Sequence, residues 1–449
     1  MENHMEQAGL SKKEVGKMLI TLAIPTILEQ ILSTLLQYVD TAMVGHLGEQ
    51  ATASVSITTT ITWLFASVPS AIGVAVLALI ARYYGAREEE KRTHMTMLTV
   101  FLVVVSGIAL GAICVILSPV IPAWMGAEPA IRKQASVYFA IISAPMVFRT
   151  ASTVFAAAMR AVKDTKTPMV ISVLTNVCNI LLNAVFIYAC GFGVTGAAIA
   201  SALSYTFGGS AMYLCYRRHK ELSFSYASFV IDKGELKECF QIALPVLATN
   251  CASCFGYVVF ARLVSGMGTT VFAAHSIAVT AETIFYIPGY GLRTATSALI
   301  GISLGENNRE KYEMVTKMSI VVTMAMMVFN GILLYVTSYP LMRLLTSSTQ
   351  VAAIGASMLK LVAFSEPFFG LMIIMEGIFY GLGKTRYPFF VETFSMWAVR
   401  ILFTALCVKV WKLSLTAVWC CMIADNICKA VLLLLPNLSE KKRRQLFHN

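Results

Sequence analysis

Apolar runs long enough to cross a bilayer recur along this chain, and that repetition limits its fold more than any other feature. A hydrocarbon core about 30 Å thick takes roughly 20 helical residues to span. Twelve such runs can be placed, near 15–45, 52–82, 95–118, 131–160, 167–190 and 195–217, then near 237–265, 271–302, 314–338, 350–380, 387–409 and 413–436. Backbone amides in lipid have no water to bond, so only helices or closed barrels can cross. The runs lack the alternation of a barrel strand. With 57% hydrophobic and 13% charged residues the chain is too apolar for a soluble protein of its length. The expected fold is an all-α polytopic membrane protein with 12 transmembrane helices.

The runs fall into two sets of six, and the sequence reads against itself at a shift of 220 residues. Pro25 meets Pro245, Gly48 meets Gly268, and Ala78-Leu79-Ile80 meets Ala298-Leu299-Ile300. Gly85 meets Gly305, Glu90-Lys91 meets Glu310-Lys311, and Thr165 and Pro168 meet Thr385 and Pro388. Long-range internal symmetry of this kind marks secondary transporters, which bind substrate and ions between two halves. An even number of spans per half makes the repeats parallel, so two six-helix lobes related by a pseudo-two-fold axis along the membrane normal are expected. The domain reading is an N-terminal lobe at 1–218, a cytoplasmic linker at 219–236, and a C-terminal lobe at 237–449 ending in a basic tail.

A net charge of +11 could suggest a nucleic-acid partner, but its distribution is topological. Basic residues cluster in alternate segments: Lys12, Lys13 and Lys17; Arg82 to Arg92; Arg160 to Lys166; Arg217 to Lys237; Arg309 and Lys311; Lys384 and Arg386; Lys441 to Arg444. The intervening loops hold little beyond Arg132, Lys133, Arg343, Lys409 and Lys412. The positive-inside rule puts both termini and all the basic loops in the cytoplasm of a cell-membrane protein. The first 14 residues are polar and the first apolar run is a full span, so no cleavable leader is expected. Most of the 11 cysteines lie in apolar runs, where cysteine acts as a small hydrophobe. Cys251 and Cys254 form a CxxC without a second ligand pair, so neither a metal centre nor a cofactor is expected. No phosphate-binding GxxxxGK[ST] loop and no nucleophile with a paired base occur, which argues against ATP drive and against an enzyme.

Polar groups inside spans carry the functional signal, because each costs a few kcal/mol or more to place in hydrocarbon. Asp40 lies deep in the first run with no lysine or arginine within helical reach. Gln30, Ser33, Gln37 and Asp40 share one helix face by their spacing. Asn176, Asn179 and Asn183 form a matching stripe in the fifth run. The amides can hydrogen-bond a protonated Asp40, help coordinate a cation such as Na⁺ beside its ionised form, or serve as interhelical glue. In the second half Glu282 and Glu366 lie within spans and Glu376 nearer the cytoplasmic end of its run, with Arg293 and Arg400 available to neutralise them. Arg149 is a lone basic group of the fourth run.

Three stretches resemble the multidrug and toxic compound extrusion (MATE) family: Pro25 to Gly48, with Tyr-Val-Asp-Thr-Ala-Met-Val-Gly at 38–45; Arg160 to Pro168; and Asn179 to Tyr188. The paired segments Gly-Ala-Arg-Glu-Glu-Glu-Lys at 85–91 and Gly-Glu-Asn-Asn-Arg-Glu-Lys at 305–311 are similar too. The resemblance implies a monomeric antiporter in contact with membrane lipid, exporting amphipathic organic cations in exchange for H⁺ or Na⁺. It implies that Asp40 is the cation-coupling aspartate of the N-terminal lobe, with Asn179 beside it. Asn183 stands where many members carry an aspartate, and no acid occurs in the seventh span, Phe240 to Ser265, where NorM-type members place one. These departures favour a DinF-like arrangement with coupling in the first lobe, Glu282 and Glu366 being secondary candidates. The rival implied by the same shape is a lipid-linked oligosaccharide flippase, which calls for a more cationic cavity.

Overall fold

A computed structural model describes residues 12–224, 232–438 and Phe447. The centre of the expected linker, 225–231, and the basic tail at 441–444 lie outside the described residues. Among those described, all regular structure is helical: α1 (Lys12–Gly45), α2 (Glu49–Ala86), α3 (Glu89–Leu117), α4 (Ile121–Trp124), α5 (Pro129–Ser143), α6 (Met146–Ala161), α7 (Lys166–Asn183) and α8 (Gly193–Arg218) in the first half. The second half holds α9 (Lys233–Ser265), α10 (Thr269–Gly305), α11 (Arg309–Leu345), α12 (Thr349–Ala363), α13 (Glu366–Gly381), α14 (Arg386–Phe394), α15 (Leu402–Ala405) and α16 (Leu415–Leu438). Wider π-helical turns extend α7 over Ala184–Ala189 and flank α15 at Ser395–Ile401 and Leu406–Val410.

The 220-residue repeat of the sequence is a repeat of geometry. The fourth and tenth spans, expected as continuous runs, are each two helices meeting at a bend: α5 with α6 at 49°, and α12 with α13 at 56°. All four boundaries of the first pair reappear 220 residues on in the second. Pro145 precedes α6 and Pro367 opens α13, and a proline can neither donate to the helical ladder nor tolerate an unbroken turn before it. The left-handed residues at helix junctions repeat as well, Gly48 with Gly268, Arg87 with Asn307 and Lys163 with Gly383.

Among the described residues, nine segments are long and apolar enough to span a membrane, and the two bent pairs bring the number to eleven. The sequence places a twelfth at 195–217, now α8, which is long enough at 26 residues but rich in glycine, alanine and serine. Close packing explains that composition. A side chain at Gly208 would run into Thr175 of α7, and one at Gly209 would fall on the carbonyl of Phe148 in α6. Small residues at such crossings let helix backbones approach in lipid, where packing drives association.

Two compact units emerge, and they do not coincide with the halves of the sequence. One comprises residues 28–84 and 88–254, the other residues 1–27, 85–87 and 255–449. The start of α1 therefore packs with second-half helices: Val15, Leu19 and Leu22 join Leu299, Tyr312, Met375 and Leu433 in one buried cluster. The same unit holds a second cluster around Trp419, Met342 and Leu359. In the other unit Val44, near the end of α1, packs with Phe139, Met146 and Ala198 in the core.

Gly209→Leu is expected to lower the apparent melting temperature of the detergent-solubilised protein by several degrees. Overpacking costs about 1–3 kcal/mol, and about 1 kcal/mol moves a Tm by roughly 2–4 °C in domains of this size. Gly45→Ala, where an added Cβ meets nothing within 4 Å, should leave the Tm unchanged on size-exclusion thermal stability measurements.

Candidate functional site

Asp40 sits in the penultimate turn of α1, in the unit that also contains α7 and α8. Its carboxylate is partly buried and accepts a short hydrogen bond from Nδ2 of Asn183, which is fully buried. The same amide nitrogen lies 3.2 Å from Oδ1 of Asn179, whose own Nδ2 donates to the Ser201 hydroxyl of α8 at 3.2 Å. Asp40, Asn183, Asn179 and Ser201 thus form one hydrogen-bonded network, in which Asn183 donates both to the carboxylate and to Asn179, and Asn179 donates onward to Ser201. Asn183 divides its donors between Asp40 and Asn179, and among the described residues its Oδ1 is buried without a hydrogen-bond partner. An orphaned amide oxygen beside a carboxylate is a pair of hard oxygen ligands, the chemistry that suits Na⁺ or a proton-bearing acid.

The rest of the predicted stripe is divided. Asn176 donates to Ser33 at 3.1 Å, and Ser33 lies 3.3 Å from Ser172, so this rung joins α1 to α7 nearer the start of both helices. It is interhelical glue and does not touch Asp40. Gln37 is exposed, and its backbone carbonyl accepts from Thr41 at 2.9 Å. Arg149 lies over the ring of Tyr205 at 5.3 Å, a cation–π contact that accounts for a lone arginine in a span. Tyr138 of α5 stands within electrostatic reach of Asp40, Arg149 and Tyr205.

The second unit corrects the expected pairing of its charges. Arg293 pairs with Glu376 at 2.8 Å and lies over Tyr290 at 4.7 Å. Arg400 instead pairs with Asp425 at 2.8 Å, and Lys429 reaches the same oxygen at 3.0 Å, with Asn426 3.2 Å from the guanidinium. Sequence reading missed Asp425, Asn426 and Lys429, although Asp and Lys four apart inside an apolar run was the available signal. Glu282 and Glu366 are both buried and close enough to interact with each other, and Glu366 Oε2 has no hydrogen-bond partner. Arginine therefore neutralises Glu376 and leaves Glu282 and Glu366 without a directly bonded cation; Arg400 acts on Glu282 only at a distance.

Known proteins resemble this chain along nearly its whole length. The MatE family profile matches twice, at residues 25–185 and 245–406, once per repeat. Probable multidrug resistance protein NorM of Thermotoga maritima is 29% identical over 95% of this chain and 93% of its own length. Multidrug resistance protein MdtK of Edwardsiella ictaluri is 24% identical, with 86% of each chain covered. Among solved structures, an aspartate-to-asparagine mutant of the Vibrio cholerae MATE transporter VcmN superposes with a TM-score of 0.91 at 18% identity, covering 98% of this chain and 99% of that one. With both repeats matched and the fold shared end to end, the chain belongs to the multidrug and toxic compound extrusion family of membrane transporters.

Proposed function

We propose that this protein is a cation-coupled antiporter that exports amphipathic organic cations across the cell membrane, with Asp40 as the coupling carboxylate. The observation that carries the reading is the hydrogen bond from buried Asn183 to Asp40, together with the orphaned Oδ1 of that same amide. Relatives named as multidrug resistance proteins support the substrate class. The alternation of basic loops supports cytoplasmic termini.

Ionised Asp40 attracts a cationic cargo into a low-dielectric unit where one charge is worth several times its value in water. H⁺ or Na⁺ arriving from outside neutralises or occupies the carboxylate, and the cargo loses its counter-charge. Alternating access then requires only that the two ligands favour different arrangements of the protein. One monovalent cation in for one out is electroneutral, so each tenfold ion gradient supplies about 1.4 kcal/mol and supports at most a tenfold cargo gradient. A pyrophosphate-linked lipid would need a cationic cavity, and a carboxylate bonded by an amide opposes that rival.

The unpartnered oxygen of buried Glu366 beside Glu282 favours a second acceptor for a cation in the other unit. Two inward charges per cargo would make exchange electrogenic and add about 2.3 kcal/mol per 100 mV.

Three outcomes check these readings in proteoliposomes loaded with ethidium. Asp40→Asn should abolish efflux driven by imposed Na⁺ or H⁺ gradients; undiminished efflux would refute the assignment, and running the two gradients separately identifies the ion. Asn183→Leu should reduce efflux by about tenfold, the usual scale for removing a supporting ligand. A valinomycin-imposed potential should leave the rate unchanged if Asp40 acts alone; if it accelerates efflux, that acceleration should vanish in Glu366→Gln.

A further inference from the structure

We infer that Tyr188 is a positioning residue for Asp40, capping the outer end of α1 and thereby setting how tightly the carboxylate holds the coupling cation. The inference rests on the proposed role of Asp40 and adds a residue outside the Asp40–Asn183–Asn179–Ser201 network.

Local geometry aims the side chain. An α-helix turns about 100° per residue, which would carry a residue five positions after Asn183 well off its face. The chain switches to π-helical bonding at that point, over Ala184–Ala189, with Cys190 N–H donating to Val185 at 2.9 Å. The wider turn of i to i+5 bonding carries the fifth residue closer to the starting face than an α-helix would. Tyr188 consequently projects from the same side as Asn183, and its hydroxyl donates to the carbonyl of Met43 at 3.1 Å. Asn183 bonds the Asp40 side chain while Tyr188 bonds the backbone about one turn further along α1.

That carbonyl matters electrostatically. α1 has no basic residue in its last turn, so the negative end of its dipole lies close to Asp40. Two groups offset it: the Tyr188 hydroxyl on Met43, and His46, whose Nδ1 is 2.7 Å from the Ala42 carbonyl. Among the ionisable groups of other helices, Tyr138 of α5 interacts electrostatically with Asp40, and also with Arg149 and Tyr205. Loss of the hydroxyl frees a carbonyl lone pair near the carboxylate and loosens the α1 end that Asn183 must reach. Both effects disfavour the bare anion and strengthen its hold on a cation.

The test is Tyr188→Phe in the full-length protein in proteoliposomes, with ethidium efflux measured against increasing external concentrations of the driving ion. The half-saturating ion concentration should fall about threefold, the scale of one hydrogen bond, with Tm and maximal rate preserved. An unchanged half-saturation overturns the inference, whether or not Tm or maximal rate falls, because a merely structural tyrosine would move only those. Asp40→Asn measured alongside separates the two claims. If that variant keeps ion-driven efflux, the reading of Asp40 fails and takes this one with it. If it loses efflux while Tyr188→Phe behaves as wild type, Tyr188 alone has been misassigned.

Discussion

Every peptide group in the hydrocarbon layer must find its hydrogen-bond partner within the protein, and the rest of this structure follows from that demand. It forces the spans to be helical, and it makes each departure from the helix costly enough to need a local reason. The bends at Pro145 and Ser365 and the π-helical turns after α7 and around α15 are such departures. The turn after α7 directly follows Asn183, and Glu366 is the first residue after the second bend. Where the ladder is interrupted, polar side chains are found.

The duplicated scaffold carries unlike chemistry in its two copies. At the repeat spacing Asp40 corresponds to Phe260, Asn179 to Val399 and Asn183 to Phe403, so the amide-and-carboxylate cluster exists once. The second half has bound its charges differently, as Arg293 with Glu376 and Arg400 with Asp425 and Lys429. Buried ion pairs of this kind cost desolvation, which the attraction between their close charges offsets. The single-copy carboxylate beside an unsatisfied amide oxygen is the opposite design, a site left chemically incomplete.

Much of this was legible in the sequence, because membrane burial writes itself into composition. Run lengths gave the spans, and prolines and glycines gave the repeat, down to matching junctions such as Gly48 and Gly268. The spacing of Asn176, Asn179 and Asn183 located a polar face of α7, yet could not say that Asn176 would bond Ser33 while Asn183 bonds Asp40. That distinction depends on the register between α1 and α7, a tertiary property that spacing within one helix does not encode. Asp425 escaped notice because its neighbours made the last span look uniformly apolar. The bends escaped because hydropathy does not register direction.

The division of α1 between the two units bears on how such a chain could have arisen. The start of α1, up to Ile27, belongs with the described residues from Phe255 onward, and α9 up to Cys254 belongs with the first-half helices. A single ancestral copy with this architecture would have lacked the strut that completes its core and could obtain it only from a second molecule. An exchange of identical elements between protomers is a low-cost route to a dimer. Fusion of two copies into one chain would then have turned a trade between molecules into an internal one. It would also have fixed the stoichiometry at one to one and freed each half to lose or gain polar residues independently.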